Sequence, residues 1–323
     1  MRTWGNFARA WAEEKGSMAR WGWMWVGFLA WSFLGSAGAW GAGSSGSVHL
    51  QVTRFESRTE AEQAASDLRA GKGFEHLAAQ WVPEGLRETQ GYLGEVVLER
   101  LSAPVQDVLG RLGPGQVSPP VAAEGAWFIF RVLGPEEVSR YSPGQESAIF
   151  HLERGIILGE LGDTFGELDS YRRAIHLDAG LAAAHVNLGE ALRRQAMRLL
   201  DGTRGSPSEQ EASKATEILD EAIDEFKAAI GLDNELWEAH FNLGLAYAAQ
   251  GLLELTVLEF QEAIRLRPEA AEIHRALGTA LLMEGRLEEA RKHAQRAGEL
   301  GAQVEDLLKR IEKEERKARG KSR

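Results

Sequence analysis

The chain contains no cysteine. That absence removes disulfides, thiolate chemistry, cysteine-ligated zinc and a lipidated N-terminal cysteine together, and it leaves the redox compartment open. Positive charge is also scarce: 37 lysines and arginines stand against 48 aspartates and glutamates, a formal net charge of −11. A protein that coats nucleic acid needs cations to displace counterions from phosphates, so the balance argues against nucleic acid and fits basic or neutral partners. What the chain does have is 44% hydrophobic and 26% charged residues, ordinary for a protein that buries a core. Its 323 residues suggest roughly two domains. Nothing in the composition implies a cofactor.

Uncharged apolar sequence is concentrated near the N-terminus. The run from Trp21 to Leu34 follows Arg20 and ends in Gly35-Ser36-Ala37-Gly38-Ala39, the profile of a signal peptide with cleavage after Ala39. Met18-Ala19-Arg20 supplies an ordinary cationic start if translation begins at Met18 rather than Met1. The stretch from Trp21 to about Ala42 is also just long enough to span a bilayer, with tryptophans for the interface. Residues 1–42 are therefore read as a signal peptide or a membrane anchor. Either one exports the rest of the chain, to the periplasm or to the outer side of the membrane it is anchored in.

From residue 148 the sequence repeats every 34 residues, in units 148–181, 182–236, 237–270 and 271–304. Gly155, Gly189, Gly244 and Gly278 hold the eighth place, where a small residue lets two helices approach. Leu188, Leu243 and Leu277 precede three of them, and Arg154 breaks the pattern in the first unit. Tyr171, Phe226 and Phe260 fill a large position between Ala222 or Ala290 and the later Ala174, Ala229, Ala263 and Ala297. Pro268 closes the third unit. These residues resemble the tetratricopeptide repeat (TPR) family over about half of the chain, which implies an all-helical solenoid that binds protein. The second unit carries about 21 extra residues after Gln195; helix propensity extends both of its helices and leaves Gly202 to Pro207 mobile. An amphipathic helix with Val304, Leu307, Leu308 and Ile311 caps the last unit. The final residues, Arg316 to Arg323, read as a solvated, frayed basic tail, with anionic lipid as the alternative contact.

Each unit has a histidine in its fourth place: His151, His185, His240 and His274. Stacked helix pairs set equivalent residues about 10 Å apart, whereas zinc ligands converge to about 2 Å from one ion. The ladder is therefore read as packing, its ring nitrogens bonded to backbone or water, and no metal is expected. The TPR resemblance implies a concave groove lined by the first helix of each unit. The matching residues are Val186, Asn187, Glu190, Arg193, Arg194, Glu238, Phe241, Asn242, Leu245, Arg275 and Thr279. Asn187 and Asn242 match asparagines that hydrogen-bond the backbone of an extended peptide in peptide-binding members, because an amide both donates and accepts. Cations for a terminal carboxylate are few.

Between Val48 and Gly134 the pattern becomes mixed. An alternating strand, Val48 to Val52, precedes helical stretches Thr59–Ala70 and Phe74–Trp81, a glycine turn Gly91-Tyr-Leu-Gly94, a short helix Ala103–Leu112 and a strand Ala126–Val132. The order, with His-Leu-x-Val, Ala-Gly-x-x-Phe-x-x-Leu-Ala, Gly-x-Leu-Gly and Pro-Gly-Gln-Val-Ser-x-Pro-Val, resembles the parvulin-type peptidyl-prolyl isomerases. The fold class is then multidomain: an α+β parvulin-like domain at 48–134, a polar connector at 135–147, an all-α TPR solenoid at 148–304, and a capping helix with basic tail at 305–323. Parvulins carry two histidines on neighbouring strands, an acid or cysteine beside them, and a methionine and phenylalanine pocket for the proline ring. Here His49 keeps the first histidine, Phe128 occupies the second, Glu84 falls near the acid, and Leu101 and Val105 replace the pocket pair. Loss of those groups implies weak or absent turnover, and His49 alone also fits a core polar residue bonded to backbone.

Together these features lead to an exported bacterial chaperone or assembly factor that holds protein or peptide clients. An active isomerase localised by its repeats and a structural scaffold subunit of an envelope complex are the competing readings.

Overall fold

The computed structural model describes residues 46–141, 146–201 and 207–321. The expected signal or anchor segment and most of the expected mobile stretch lie outside the described residues. Among the described residues no helix is long and apolar enough to cross a membrane. The chain divides into two compact units, the first ending at Ala184 and the second beginning at His185.

The first unit is built on a four-stranded antiparallel sheet in the order β2 (Tyr92–Val97), β1 (Ser47–Phe55), β4 (Ala126–Val132), β3 (Val121–Ala123). Strand β1 is longer than its expected alternating core, and Leu50, Gln51, Val52 and Thr53 are all buried, so both faces of the sheet are covered. The polar pair survives burial through bonds: Arg131 donates to Gln51 Oε1 at 2.9 Å, and Thr53 donates to the Ile129 carbonyl. Helix α1 (Arg58–Arg69) starts at a capping box, Ser57 with Glu60. Helices α2 (Phe74–Trp81) and α3 (Ala103–Leu109) follow. The glycine turn expected at Gly91–Gly94 is mostly strand, β2, and β3 was not expected at all. Only its two ends turn: Gly91 and Gly94 both have positive φ, and the register shifts beside Gly94 between Leu50 and Gln51.

The expected polar connector holds a helix, α4 (Pro135–Tyr141), whose Tyr141 packs with Tyr92 and Leu133 while Arg131 reaches Glu137 and Tyr141. Helices α5 (Ala148–Leu161) and α6 (Thr164–Leu177) complete this unit. Ser147 caps α5 by accepting from Phe150 N, Gly162 ends it with a left-handed φ of 94°, and Asp163 caps α6.

The second unit contains most of α7 (Ala182–Asp201), then α8 (Glu209–Leu232), α9 (Trp237–Ala249), α10 (Leu253–Leu266), α11 (Ala271–Glu284), α12 (Leu287–Glu299) and α13 (Glu305–Lys321). Both helices flanking the insertion are lengthened, to 20 and 24 residues, and a second capping box, Ser208 with Glu211, fixes where α8 begins. Helix α13 lays Leu307 and Ile311, both fully buried, on α11 and α12. It runs on to Lys321, so most of the stretch expected to fray is helical, with Lys317 paired to Glu314.

The eighth-place glycines show why the repeat needs them. A Cβ at Gly155, Gly189 or Gly244 would stand 2.5, 2.7 or 2.6 Å from the ring of Tyr171, Phe226 or Phe260. In the last unit the ring is replaced by Ala294, and a Cβ at Gly278 would meet backbone at 3.2 Å. Gly278→Ala is therefore expected to lower the urea midpoint less than Gly244→Ala, a ranking that chemical denaturation of the two variants checks.

Candidate functional site

The residues that would form an isomerase site fall on three parts of the first unit, and the sheet separates them. His49 lies on β1 beside Glu95 of β2, and its backbone carbonyl accepts from Leu133 N at 2.9 Å. Phe128 pairs with Arg54, five residues farther along β1. Side chains alternate along a strand, so Phe128 shares a face with Leu50 and Val52 while His49 points to the opposite one. The two positions do not meet. The half-buried His49 ring bonds through Nδ1 to the Tyr92 hydroxyl at 2.8 Å, with the rings stacked, rather than to a backbone group. Burial, reinforced by Glu95, raises the Tyr92 phenol above its usual range.

Glu84 opens a 3-10 turn, Glu84–Leu86, and is exposed. Leu101 and Val105 flank the start of α3, and they and Phe128 are 4%, 0% and 0% exposed. They belong to one core cluster that includes Phe150, Ile157, Leu158 and Leu161 of α5. The pocket for a proline ring is thus filled by the chain's own apolar side chains.

Helix α5 packs on the Glu84 turn and reaches the start of α3 between Leu101 and Val105. Its first turn packs on the Glu84–Leu86 turn so closely that a Cβ at Gly85 would stand 2.7 Å from the Ile149 carbonyl. In its middle, Arg154 donates to the Leu93 carbonyl of β2 at 2.6 Å and to Ser170 Oγ of α6 at 2.6 Å. At its end the Leu161 carbonyl accepts from Ser102 N at 2.7 Å, between Leu101 and Val105. Arg54 grips Glu160 with two nitrogens, at 2.7 and 2.8 Å. Burial raises the Glu153 carboxyl; Arg54 opposes that rise, and Glu160 and Glu84 add to it. Burial also holds the Arg154 guanidinium below its ordinary value against the pull of Asp169 and Asp163. A polar cleft of about 380 Å³ lies beside α5, with Arg100, Arg154 and Arg172 facing Glu95, Asp163 and Asp169. Its chemistry does not suit a proline ring.

In the second unit the expected groove residues divide. Asn187, Glu190, Phe241, Asn242 and Arg275 are partly exposed on the first helices of their units. Glu190 lies 3.9 Å from Arg194. Burial lowers the Arg193 guanidinium, with Glu190 opposing. Asn242 spends one amide proton on the Glu238 carbonyl at 3.1 Å, one turn back in its own helix. Leu245 and Thr279 are buried, Leu245 within the core of α10 and α11, and they provide packing rather than groove contacts. Trp237 was missed: its ring lies 6.5 Å from Phe241, with the Arg267 guanidinium 4.5 Å above it. The signal was there, since the first place of the other units is Ala148, Ala182 and Ala271.

The histidine ladder also differs from expectation. His185 and His240 bond through Nδ1 to carboxylates, Glu225 at 2.6 Å and Glu259 at 2.7 Å, and His151 bonds through Nε2 to Glu146 at 2.7 Å. His274 bonds through Nε2 to the Pro268 carbonyl, as expected of a backbone partner, and its Nδ1 faces His293.

A family model described as a PPIC-type PPIase (rotamase) domain matches residues 49–134. Two tetratricopeptide repeat models match residues 218–251 and 258–304. Among solved structures, MamA from Desulfovibrio magneticus RS-1 is 21% identical over 51% of this chain and 80% of its own, with a TM-score of 0.41. TTC0263, a thermophilic TPR protein of Thermus thermophilus, is 20% identical over 55% and 86%, with a TM-score of 0.42. The first TPR of Spaghetti, solved with an HSP90 peptide, is 16% identical over 43% and 96%, with a TM-score of 0.36. No protein with a curated description matches the chain. With the family models falling on the mixed sheet and on the helical hairpins, the chain carries a PPIC-type isomerase-like domain followed by tetratricopeptide repeats.

Proposed function

We propose that the protein is an exported chaperone-like or assembly factor that holds polypeptide with its repeats, and that its parvulin-like domain is a structural platform without isomerase turnover. The observation that carries this reading is the burial of Leu101, Val105 and Phe128 in the core cluster that α5 joins. Turning an X-Pro bond crosses a barrier of about 20 kcal/mol, lowered only by a site that binds the twisted peptide better than the planar one. A filled pocket with its lone histidine on the opposite face has no such preference to offer. What the platform does instead is cover the apolar side of the first helical hairpin, which would otherwise face water.

A protease-coupled proline-peptide assay tests it. The full chain and its His49→Ala variant are expected to leave the rate at the uncatalysed level, and an acceleration abolished by His49→Ala would overturn the platform reading. Client holding is tested by suppression of aggregation of a denatured protein, which Asn187→Ala with Phe241→Ala is expected to weaken. Recovery of one stoichiometric partner by crosslinking in its native host would favour a scaffold subunit over a general chaperone. Export rests on Trp21 to Ala39, and N-terminal sequencing with membrane fractionation of the natural protein checks it.

A further inference from the structure

The repeats carry their own internal comparison at the contact between the fourth residue of each unit and the second helix of the same hairpin. In two units that contact is imidazole to carboxylate, His185 to Glu225 and His240 to Glu259. In the last it is imidazole to imidazole: His274 Nδ1 and His293 Nδ1 are 3.0 Å apart, with centroids at 5.3 Å and rings 23° from parallel. The protons of this pair can be placed by elimination. His274 Nε2 lies 3.0 Å from the Pro268 carbonyl, which only accepts, so Nε2 carries hydrogen. A neutral His274 then offers a lone pair at Nδ1, and His293 must donate from its own Nδ1. One added proton fits on His293 Nε2. A second leaves two N–H groups face to face, on rings of which His274 is buried.

We propose that the His274–His293 pair is an acid-sensitive latch of the last repeat, closed while at least one ring is neutral and parted when both are protonated, which loosens α11 from α12 and from the capping helix α13. The latch is independent of what the repeats bind. The charged groups around it do little to rescue a protonated pair. On α12, Lys292 opposes protonation of His293, and Glu289, which favours it, is engaged by Arg286 at 2.7 and 2.8 Å. In the loop bearing Pro268, Glu269 is held by Arg296, and on α13 Glu315 is held by Arg291. On α10, Glu259 is taken by His240. Burial lowers His293, and His274 and Lys292 lower it further. A lowered folded-state value means that the unfolded or opened segment takes protons first, so stability is full above about pH 6.5 and falls below it.

The test uses the full chain and hydrogen exchange, corrected for intrinsic rates, between pH 7.5 and 5.5. Opening of α11 to α13 is expected to rise as pH falls, by up to about tenfold per pH unit for each proton taken up. His293→Glu, which installs the carboxylate that the two preceding units use, and His293→Gln, whose amide still donates to His274, are expected to flatten that rise. Exchange in the first unit serves as the comparison, because burial also lowers His151 there and its Nδ1 has no hydrogen-bond partner. An acid-dependent rise in α11 to α13 that persists in both variants overturns the proposal, as does a wild-type profile flat across the range.

Discussion

Phe260→Ala is expected to destabilise the second unit by about 3–5 kcal/mol, because its ring is fully buried and α9 and α10 cannot collapse onto the space it leaves. Urea denaturation followed by tryptophan fluorescence reads the loss. The same ring is what excludes a side chain at Gly244, where an added Cβ would stand 2.6 Å from it, so Gly244→Ala is itself expected to cost about 1–3 kcal/mol. Combined, the two should not add. The methyl group of Gly244→Ala occupies room that Phe260→Ala vacates, and a coupling of about 0.5–3 kcal/mol in the favourable direction is expected from the double-mutant cycle. The last repeat already has this arrangement, with Ala294 beside Gly278. Strict additivity would mean that ring and glycine are not in fact packed against each other.

Arg154→Leu is the second large effect, and its sign runs against the repeat pattern. Leucine is what the other units carry, as Leu188, Leu243 and Leu277, so a rule drawn from the repeats alone makes the substitution an improvement. The structure makes it a loss of about 2–4 kcal/mol. The Leu93 carbonyl on the edge of β2 would lose a charged donor, Ser170 would lose another, and leucine cannot reach either. Part of the loss is returned because a buried guanidinium is itself expensive to desolvate, which is why the figure stays well below the sum of the bonds. Faster hydrogen exchange in β2, together with a lower urea midpoint, is the expected signature; a raised midpoint would show that the consensus residue wins.

These two sites mark where sequence reasoning worked and where it stopped. Glycine, ring and alanine positions were legible because each is set by a contact inside one hairpin, at a fixed spacing, repeated across the units. Arg154 was visible as a departure, but its reason was not, since its partners Leu93 and Glu95 are some sixty residues away on another fold. The cover over Leu101 and Val105 was hidden for the same cause: α5 reads as an ordinary first repeat, and nothing local says which surface it takes. Strand β2 was obscured by glycines that read as a turn, and β3 is three residues long. The histidine partners could have been found. His240 and Glu259 are 19 residues apart, His274 and His293 likewise, and His185 and Glu225 are 40 apart because the insertion lies between them. The ladder was followed along the stack, while the bonds run across each hairpin. In the first hairpin that place is Ser170, already bonded to Arg154, and His151 turns to Glu146 instead.

The cover on α5 and the packing of α13 on α11 and α12 share a consequence for assembly. A hairpin stack is open-ended by nature: whatever surface one pair offers the next, the last pair still offers, and a second copy could add there head to tail without any rotation that closes a ring. Here the terminal hairpin of each unit is met by something that is not a repeat, a β-sheet domain at α5 and a lone helix at α11 and α12. Neither of these two covered faces is left for a second copy to add to, so each unit withholds one hairpin face from head-to-tail growth.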